Sequence, residues 1–220
     1  MVTPVRLAVF DVDGTLVDGQ TQAMMVRHMS ECNMIGLPTR IAVALWFIAY
    51  RLGIPVSGEG IRRLVLRSLR GMTRQDVATL ADDLFEARLR ERVRRQGAKL
   101  ISDYRERGFR TVLLSASAEP IVSRIAREVG ASDWIATNLD VADDCLTGEI
   151  DGAVVEGEEK AARLTAWADA KFENWVLHSA YGDHESDAQI MRLAEISFAV
   201  NPTAALRRLA AENGWACLEW

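Results

Sequence analysis

The sequence predicts an α/β protein: a mostly parallel sheet covered by helices on both faces, with an all-helical segment inserted after the first strand. Three observations predict it. The apolar run Val5 to Phe10 stops abruptly at acidic residues, as a buried strand does at its carboxyl end. Residues 21–96 then carry apolar and arginine-rich stretches at helical spacing, with little β-branched alternation. From Gly97 onward strand-like and helix-like stretches alternate, and repeated βα units imply parallel pairing.

The elements follow in order. After the strand that ends at Phe10, the spacing predicts helices over 21–33, 38–51, 59–70 and 74–95. Pro38 and Gly71 fall near helix ends, where such residues belong. Thr73, with Asp76 three residues on, resembles a capping box for the fourth helix. The arginines between Arg88 and Arg95 read as a solvated helix face. A helix at 98–107, a strand at 110–115, a helix at 119–129 and a short strand near 134–137 come next. The stretch 146–155 (LTGEIDGAVV) has the turn chemistry of a small hairpin. A helix at 158–169, a strand at 175–180, a helix at 185–194, a strand at 196–200, a helix at 203–213 and a strand at 215–219 complete the chain.

Composition sets bounds on function. The 220 residues are 49% hydrophobic and 26% charged, enough to bury a core and too apolar for a disordered chain. The net charge of −5 gives no global basic field, so nucleic acid is not the expected partner. Cys32, Cys145 and Cys217 lie far apart without a CxxC pair, which argues against a zinc site or a disulfide framework. The start of the sequence lacks the pattern of a signal peptide, so the chain reads as cytoplasmic. Residues 41–50 (IAVALWFIAY) are wholly apolar between Arg40 and Arg51. Ten helical residues span about 15 Å, half a hydrocarbon core, so a buried helix is expected ahead of a membrane-touching one.

The chemistry concentrates at four places. Asp11 and Asp13, in Asp11-Val12-Asp13-Gly14-Thr15, start on one side of a strand at its carboxyl end, where open α/β sheets bind ligands. Two crowded carboxylates call for a cation, and a hard ion such as Mg²⁺ suits oxygen ligands. Gly14 permits a sharp departure and close backbone approach. Ser115, at the end of the next core strand, offers a hydroxyl and neighbouring amides to an anion. Lys160, near a helix start, brings an ammonium suited to phosphate charge. Asp183 and Asp187, in Gly182-Asp183-His184-Glu185-Ser186-Asp187, form a second carboxylate cluster where a strand runs into a helix. Taken singly, each has a plain structural explanation as a turn, a cap, a surface lysine or acids at a helix start. Their common placement and order point to one site.

These four motifs resemble those of the haloacid dehalogenase-like hydrolase superfamily, and the inserted helices resemble the cap of its phosphoserine phosphatase-like subgroup. The tail AVNPTAALRRLAAENGW is also similar to that subgroup. The resemblance implies a Rossmann-like core from residues 1–18 and 97–220, with a helical cap over 19–96. It implies that Asp11 attacks phosphorus and forms an aspartyl-phosphate, while Asp13 protonates the leaving oxygen and then activates water. Ser115, with Ala116, and Lys160 would hold the phosphoryl oxygens. Asp183, the Asp11 carboxylate and the Asp13 main-chain carbonyl would bind Mg²⁺, with Asp187 in support. Phosphoserine phosphatases of this subgroup usually carry a glutamate where this chain has Gln20, and a glycine-rich turn where it has Ala116-Ser117-Ala118. Neutral Gln20 cannot pair with a substrate ammonium, so phosphoserine is not the expected substrate.

The leading expectation is therefore a Mg²⁺-dependent phosphatase acting on a small phosphate ester. A lipid phosphate such as phosphatidylglycerophosphate is the alternative, motivated by Trp46, Phe47 and Tyr50 in the apolar run, with peripheral membrane contact. A binding protein on a retired enzyme fold is the third, and the intact acids count against it. Substrate, pathway and oligomeric state are not written in the sequence.

Overall fold

The computed structural model describes residues 3–51 and 58–220; the side chains of residues 46–47, 49–51 and 58–62 lie outside that description. Strand β1 (Val5–Phe10) is followed by helices α1 (Thr21–Glu31), α2 (Leu37–Arg51), α3 (Gly58–Ser68) and α4 (Arg74–Leu84). Then come α5 (Arg95–Glu106), β2 (Arg110–Ala118), α6 (Glu119–Val129), β3 (Asp133–Ala142) and β4 (Cys145–Asp151). The chain continues through α7 (Glu158–Lys171), β5 (Trp175–Gly182), α8 (Ala188–Leu193), β6 (Ile196–Val200), α9 (Ala204–Asn213) and β7 (Ala216–Leu218). The seven strands form one sheet in the order β4-β3-β2-β1-β5-β6-β7.

All neighbouring strands are parallel except β3 and β4, which pair antiparallel at one edge. That hairpin differs from the sequence expectation. The strand near 134–137 extends to Ala142, and the reversal falls at Asp143-Asp144, both with positive φ (51° and 62°), ahead of the stretch whose glycines suggested a turn. Two aspartates in the left-handed region make the turn that Gly148 and Gly152 seemed to offer.

The sheet is buried on both faces, and β1 shows how. Ala8 and Phe10 pack into one core with Ile101 of α5 and Ile125 of α6, while Leu7 and Val9 pack into another with Leu164 and Ala168 of α7. Alternate side chains on a pleated strand point to opposite faces, so these four apolar residues serve two layers. Phe10 is fully buried, and Phe10→Ala would cost about 3–5 kcal/mol.

Between β1 and β2 the described residues form helices and no strand. The segment departs and returns side by side: the Asp18 amide donates to the Arg92 carbonyl (2.9 Å) and the Arg94 amide to the Leu16 carbonyl (2.8 Å). This return corrects the long helix expected over 74–95. Regular α-helix stops at Leu84, a π-helical turn spans Phe85–Leu89, a 3-10 turn spans Arg90–Arg92, and Val93 is extended opposite Val17. The Thr73–Asp76 capping box is present at the start of α4, with each partner's side chain accepting the other's amide at 3.1 Å. The helix expected over 185–194 splits into a 3-10 turn at Glu185–Asp187 and α8.

Candidate active site

The site sits at the carboxyl ends of the central strands. Register aligns Phe10 with Leu113 of β2 on one side and with Tyr181 of β5 on the other. Asp11, Ser115 and Asp183 each lie within two residues of that level, on three adjacent parallel strands. Because β1 connects to β2 on one side and pairs with β5 on the other, this is the point at which the strand order reverses, the usual ligand position in an open α/β sheet.

The loop after β1 is folded tightly. The Asp11 amide donates to the Tyr181 carbonyl (2.9 Å), the Gly14 amide to Val17 (2.9 Å), and the amides of Leu16 and Val17 to Val12 (2.9 Å each). Gly14 has φ +79°, and a Cβ there would lie 2.1 Å from Asp183 Oδ2. Only glycine allows this backbone to meet that carboxylate. Gly182 plays the same part for Asp187, whose side chain would lie 2.6 Å from an added Cβ.

Lys160, buried near the start of α7, donates to Asp11 Oδ1 (2.6 Å) and Asp187 Oδ1 (2.5 Å). The lysine that read as a surface residue if taken alone is thus an ammonium between two buried carboxylates. Burial opposes its charge, but Asp11 and Asp187 outweigh that effect and hold its pKa above the ordinary lysine range. Asp11 is pushed well above the usual carboxylate range by burial, against the attraction of Lys160 and with added repulsion from Asp187 and Asp183. Asp183 is pushed up to about 7, first by burial and then by the charge of Asp187. The site carries more negative charge than Lys160 alone settles.

Oxygens of Asp11, Asp183 and Asp187 lie within 4.8 Å of one another. An all-carboxylate donor set with surplus charge fits a hard divalent cation, and Mg²⁺ in particular. Asp187 belongs to this cluster. The side chain of Asp13 does not; it is engaged elsewhere.

Asp13 accepts the Thr21 amide on Oδ1 (2.5 Å), and on Oδ2 the Thr21 hydroxyl (3.2 Å) and the Ser117 hydroxyl (2.7 Å). The two hydroxyl oxygens lie 2.6 Å apart, and with one proton each, either can donate to the other only in place of its bond to Asp13. Burial raises the Asp13 pKa, against the pull of these donors toward the ionised form. The reading of the sequence did not assign a role to Thr21 or Ser117. The signal for Ser117 lay in LLSAS, since the strand period sets Ser115 and Ser117 on one side. Thr21 carried no signal, because only the fold brings the first turn of α1 against Asp13.

Ser115 is buried, and its hydroxyl accepts the Ser117 amide (3.1 Å). It does not end its strand as expected: β2 runs on to Ala118, with an irregular register between Ser115 and Ala118. Gln20 is exposed just before α1 and makes no side-chain capping bond. His184, a loop residue as expected, caps the 3-10 turn by accepting the Ser186 amide (3.2 Å). Asp11, Asp13, Gln20, Ser115, Ala116, Lys160, Asp183 and Asp187 all line one cavity of about 320 Å³. Arrangements of this kind suit phosphoryl transfer, in which positioning and charge neutralisation do most of the catalysis.

Comparison with known proteins bears on the family and the fold. A family model described as haloacid dehalogenase-like hydrolase matches residues 8–192. A phosphoserine phosphatase of Mycobacterium tuberculosis is 24% identical over 211 residues, covering 94% of this chain and 68% of that protein. A histidinol-phosphatase of Neisseria meningitidis is 22% identical over 220 residues, covering 98% of this chain and 99% of that protein. A solved structure of a protein of unknown function from Bordetella pertussis superposes with a TM-score of 0.87 at 22% identity, covering 98% of this chain and 99% of that one, a likeness of fold.

Proposed function

The chain belongs to the haloacid dehalogenase-like hydrolase family, and on that premise we propose that it is a Mg²⁺-dependent phosphatase that hydrolyses a small phosphate monoester through Asp11. The observation that carries this reading is the convergence of Lys160 on Asp11 and Asp187, at 2.6 Å and 2.5 Å, beside Asp183 and in the cavity that Asp13 also lines. Residues 1–18 and 97–220 serve as the catalytic core and 19–96 as a cap, a division supported by the paired backbone at Leu16–Asp18 and Arg92–Arg94.

Asp11 attacks phosphorus, and the bond from phosphorus to the leaving oxygen breaks. Asp13 enters this step protonated and gives its proton to that oxygen. Asp13, now ionised and held by Thr21 and Ser117, takes a proton from water. The water oxygen attacks the aspartyl-phosphate, releasing inorganic phosphate and the Asp11 carboxylate. Lys160 offsets charge on Asp11 and on the phosphoryl oxygens, and Ser115 with the Ala116 backbone holds those oxygens. Asp11, Asp183 and Asp187 would hold Mg²⁺, with the Asp13 main-chain carbonyl as the resemblance implies; bound there, it supplies neutralisation of phosphoryl charge.

The deciding experiment is phosphate release from a broad ester panel with and without Mg²⁺, joined to acid quenching during turnover. The expected result is metal-dependent release with an acid-stable, hydroxylamine-labile phosphate on the protein. Full turnover after exhaustive chelation would overturn the metal requirement.

One observation favours a second reading, a lipid phosphate substrate. Leu37, Ile41, Leu45 and Ile48 are 67%, 52%, 61% and 56% exposed along one face of α2. The expected buried helix is thus bare along that face, while Trp46, Phe47 and Tyr50 have side chains outside the described residues. No helix among the described residues is long and apolar enough to cross a membrane. Pelleting with anionic liposomes separates the readings: a protein that stays wholly in the supernatant removes the second.

A further inference from the structure

We propose that the alcohol this enzyme releases is hydrocarbon-rich, because the described cavity walls beyond the phosphate end are mostly apolar. The proposal rests on the phosphatase reading above and names the substrate class of that site.

The cavity has two chemically different ends. Its floor is the cluster of Asp11, Asp13, Ser115, Lys160, Asp183 and Asp187. Its roof is built by the helical segment: Met25 and Val26 from α1, Leu66 from α3 with Leu69 in the turn that follows it, Val77 and Ala81 from α4. Facing them from the sheet side are Ile121 of α6, Leu139 of β3 and Ile150 of β4. Among the described lining residues there is no arginine, and the single lysine is Lys160, which already bonds two carboxylates.

Each alternative class of leaving group meets a specific obstacle. The carboxylate of a phosphorylated hydroxy amino acid would enter a cavity whose floor holds four aspartates, with Lys160 already bonded to two of them. A sugar would set several hydroxyls against Val26, Leu69, Val77 and Ile121, and an unpaired buried hydroxyl is unfavourable. Of the polar residues in the lining, Thr137 is already engaged: its hydroxyl donates to the Ala116 carbonyl (2.8 Å) and accepts the Val155 amide (3.1 Å). An alkyl chain, by contrast, replaces water at these walls and gains about two- to fourfold in binding per methylene.

The test is kcat/KM, from phosphate release at saturating Mg²⁺, for ethyl, butyl, hexyl and octyl phosphate beside L-phosphoserine and glucose 6-phosphate. The expected result is a rise with chain length until the cavity is filled, with hexyl phosphate ahead of both polar esters by about tenfold or more. Val77→Thr, close in shape but polar, should lower the hexyl-to-ethyl ratio by about threefold. That ratio is independent of how much of the variant is folded. A flat or falling series, an unchanged ratio in Val77→Thr, or phosphoserine or the sugar phosphate in the lead overturns the proposal and leaves the phosphatase reading standing. Inertness toward every ester and toward acetyl phosphate, a small activated donor without a leaving group to fit, overturns that reading and the proposal with it.

Discussion

Ser117→Ala is the perturbation that most directly probes Asp13 as acid and base. The Ser117 hydroxyl donates to Asp13 Oδ2 at 2.7 Å from a fully buried position, so alanine deletes one oxygen and leaves the packing nearly unchanged. A hydrogen bond to a charged group contributes about 1.5–3 kcal/mol. Thr21 keeps both of its contacts with Asp13, and cavity water replaces part of what is lost, so the lower figure governs. It corresponds to about one pH unit. The sign follows from which form the donors favour. They stabilise ionised Asp13, so removing one raises its pKa further. The step in which Asp13 acts as base then requires a higher pH, and the acidic limb of kcat should move up by about one unit. Thr21→Val should move it less, because the backbone amide, at 2.5 Å, survives that change. The assay is kcat against pH for one good ester at saturating Mg²⁺, with a thermal melt to confirm the fold. A Ser117→Ala enzyme whose acidic limb and kcat coincide with wild type would refute the assignment.

Four further outcomes are expected. Asp11→Asn should lower kcat by at least about a thousandfold with an unchanged circular dichroism spectrum; near-normal turnover, in protein shown free of deamidation, contradicts Asp11 as nucleophile. In the metal-free protein Asp183 has a pKa of about 7, so Mg²⁺ must displace a proton at lower pH. Calorimetry should find its affinity about thirtyfold weaker at pH 5.5 than at pH 8, and equal affinities count against Asp183 as a ligand. The same shift gives a stability sign: between about pH 4 and 7 the folded state retains a proton that the unfolded chain has lost, so this group makes the metal-free protein less stable as pH rises. Gly14→Ala should weaken Mg²⁺ activation by about tenfold or more, since a Cβ would meet Asp183 Oδ2 at 2.1 Å in a backbone with φ +79°; wild-type Mg²⁺ dependence in that variant sinks the packing argument. Ca²⁺ should substitute poorly for Mg²⁺, because its looser coordination would misplace Asp11, and equal rates with the two ions would contradict this.

The sequence by itself determined the parts that depend on short range. The largely apolar run Val5–Phe10 ahead of Asp11 specifies a buried strand whose carboxyl end carries acids, since strand alternation and burial are local properties. Thr73 and Asp76 are three residues apart, so their capping box needed nothing beyond its own turn. The order of Asp11, Ser115, Lys160 and Asp183 along alternating strands and helices was enough to point to one site. Only the tertiary structure decided what depends on approach between distant segments. Lys160 reads as a surface lysine alone, and becomes the partner of Asp11 and Asp187 because α7 and β5 pack beside β1. Asp13 gained Thr21 and Ser117, its contact with Ser117 crossing 104 positions. The helix expected over 74–95 ends at Leu84 and the chain turns extended at Val93, where the returning segment pairs with Leu16 and Val17, a contact no helical periodicity records. The apolar lining came from α1, α3 and α4 together, and its chemistry depends on which faces those helices turn inward. Local propensity fixes that an element forms, whereas several of its ends, and charge, exposure and leaving-group fit, are set by neighbours that the linear order does not place side by side.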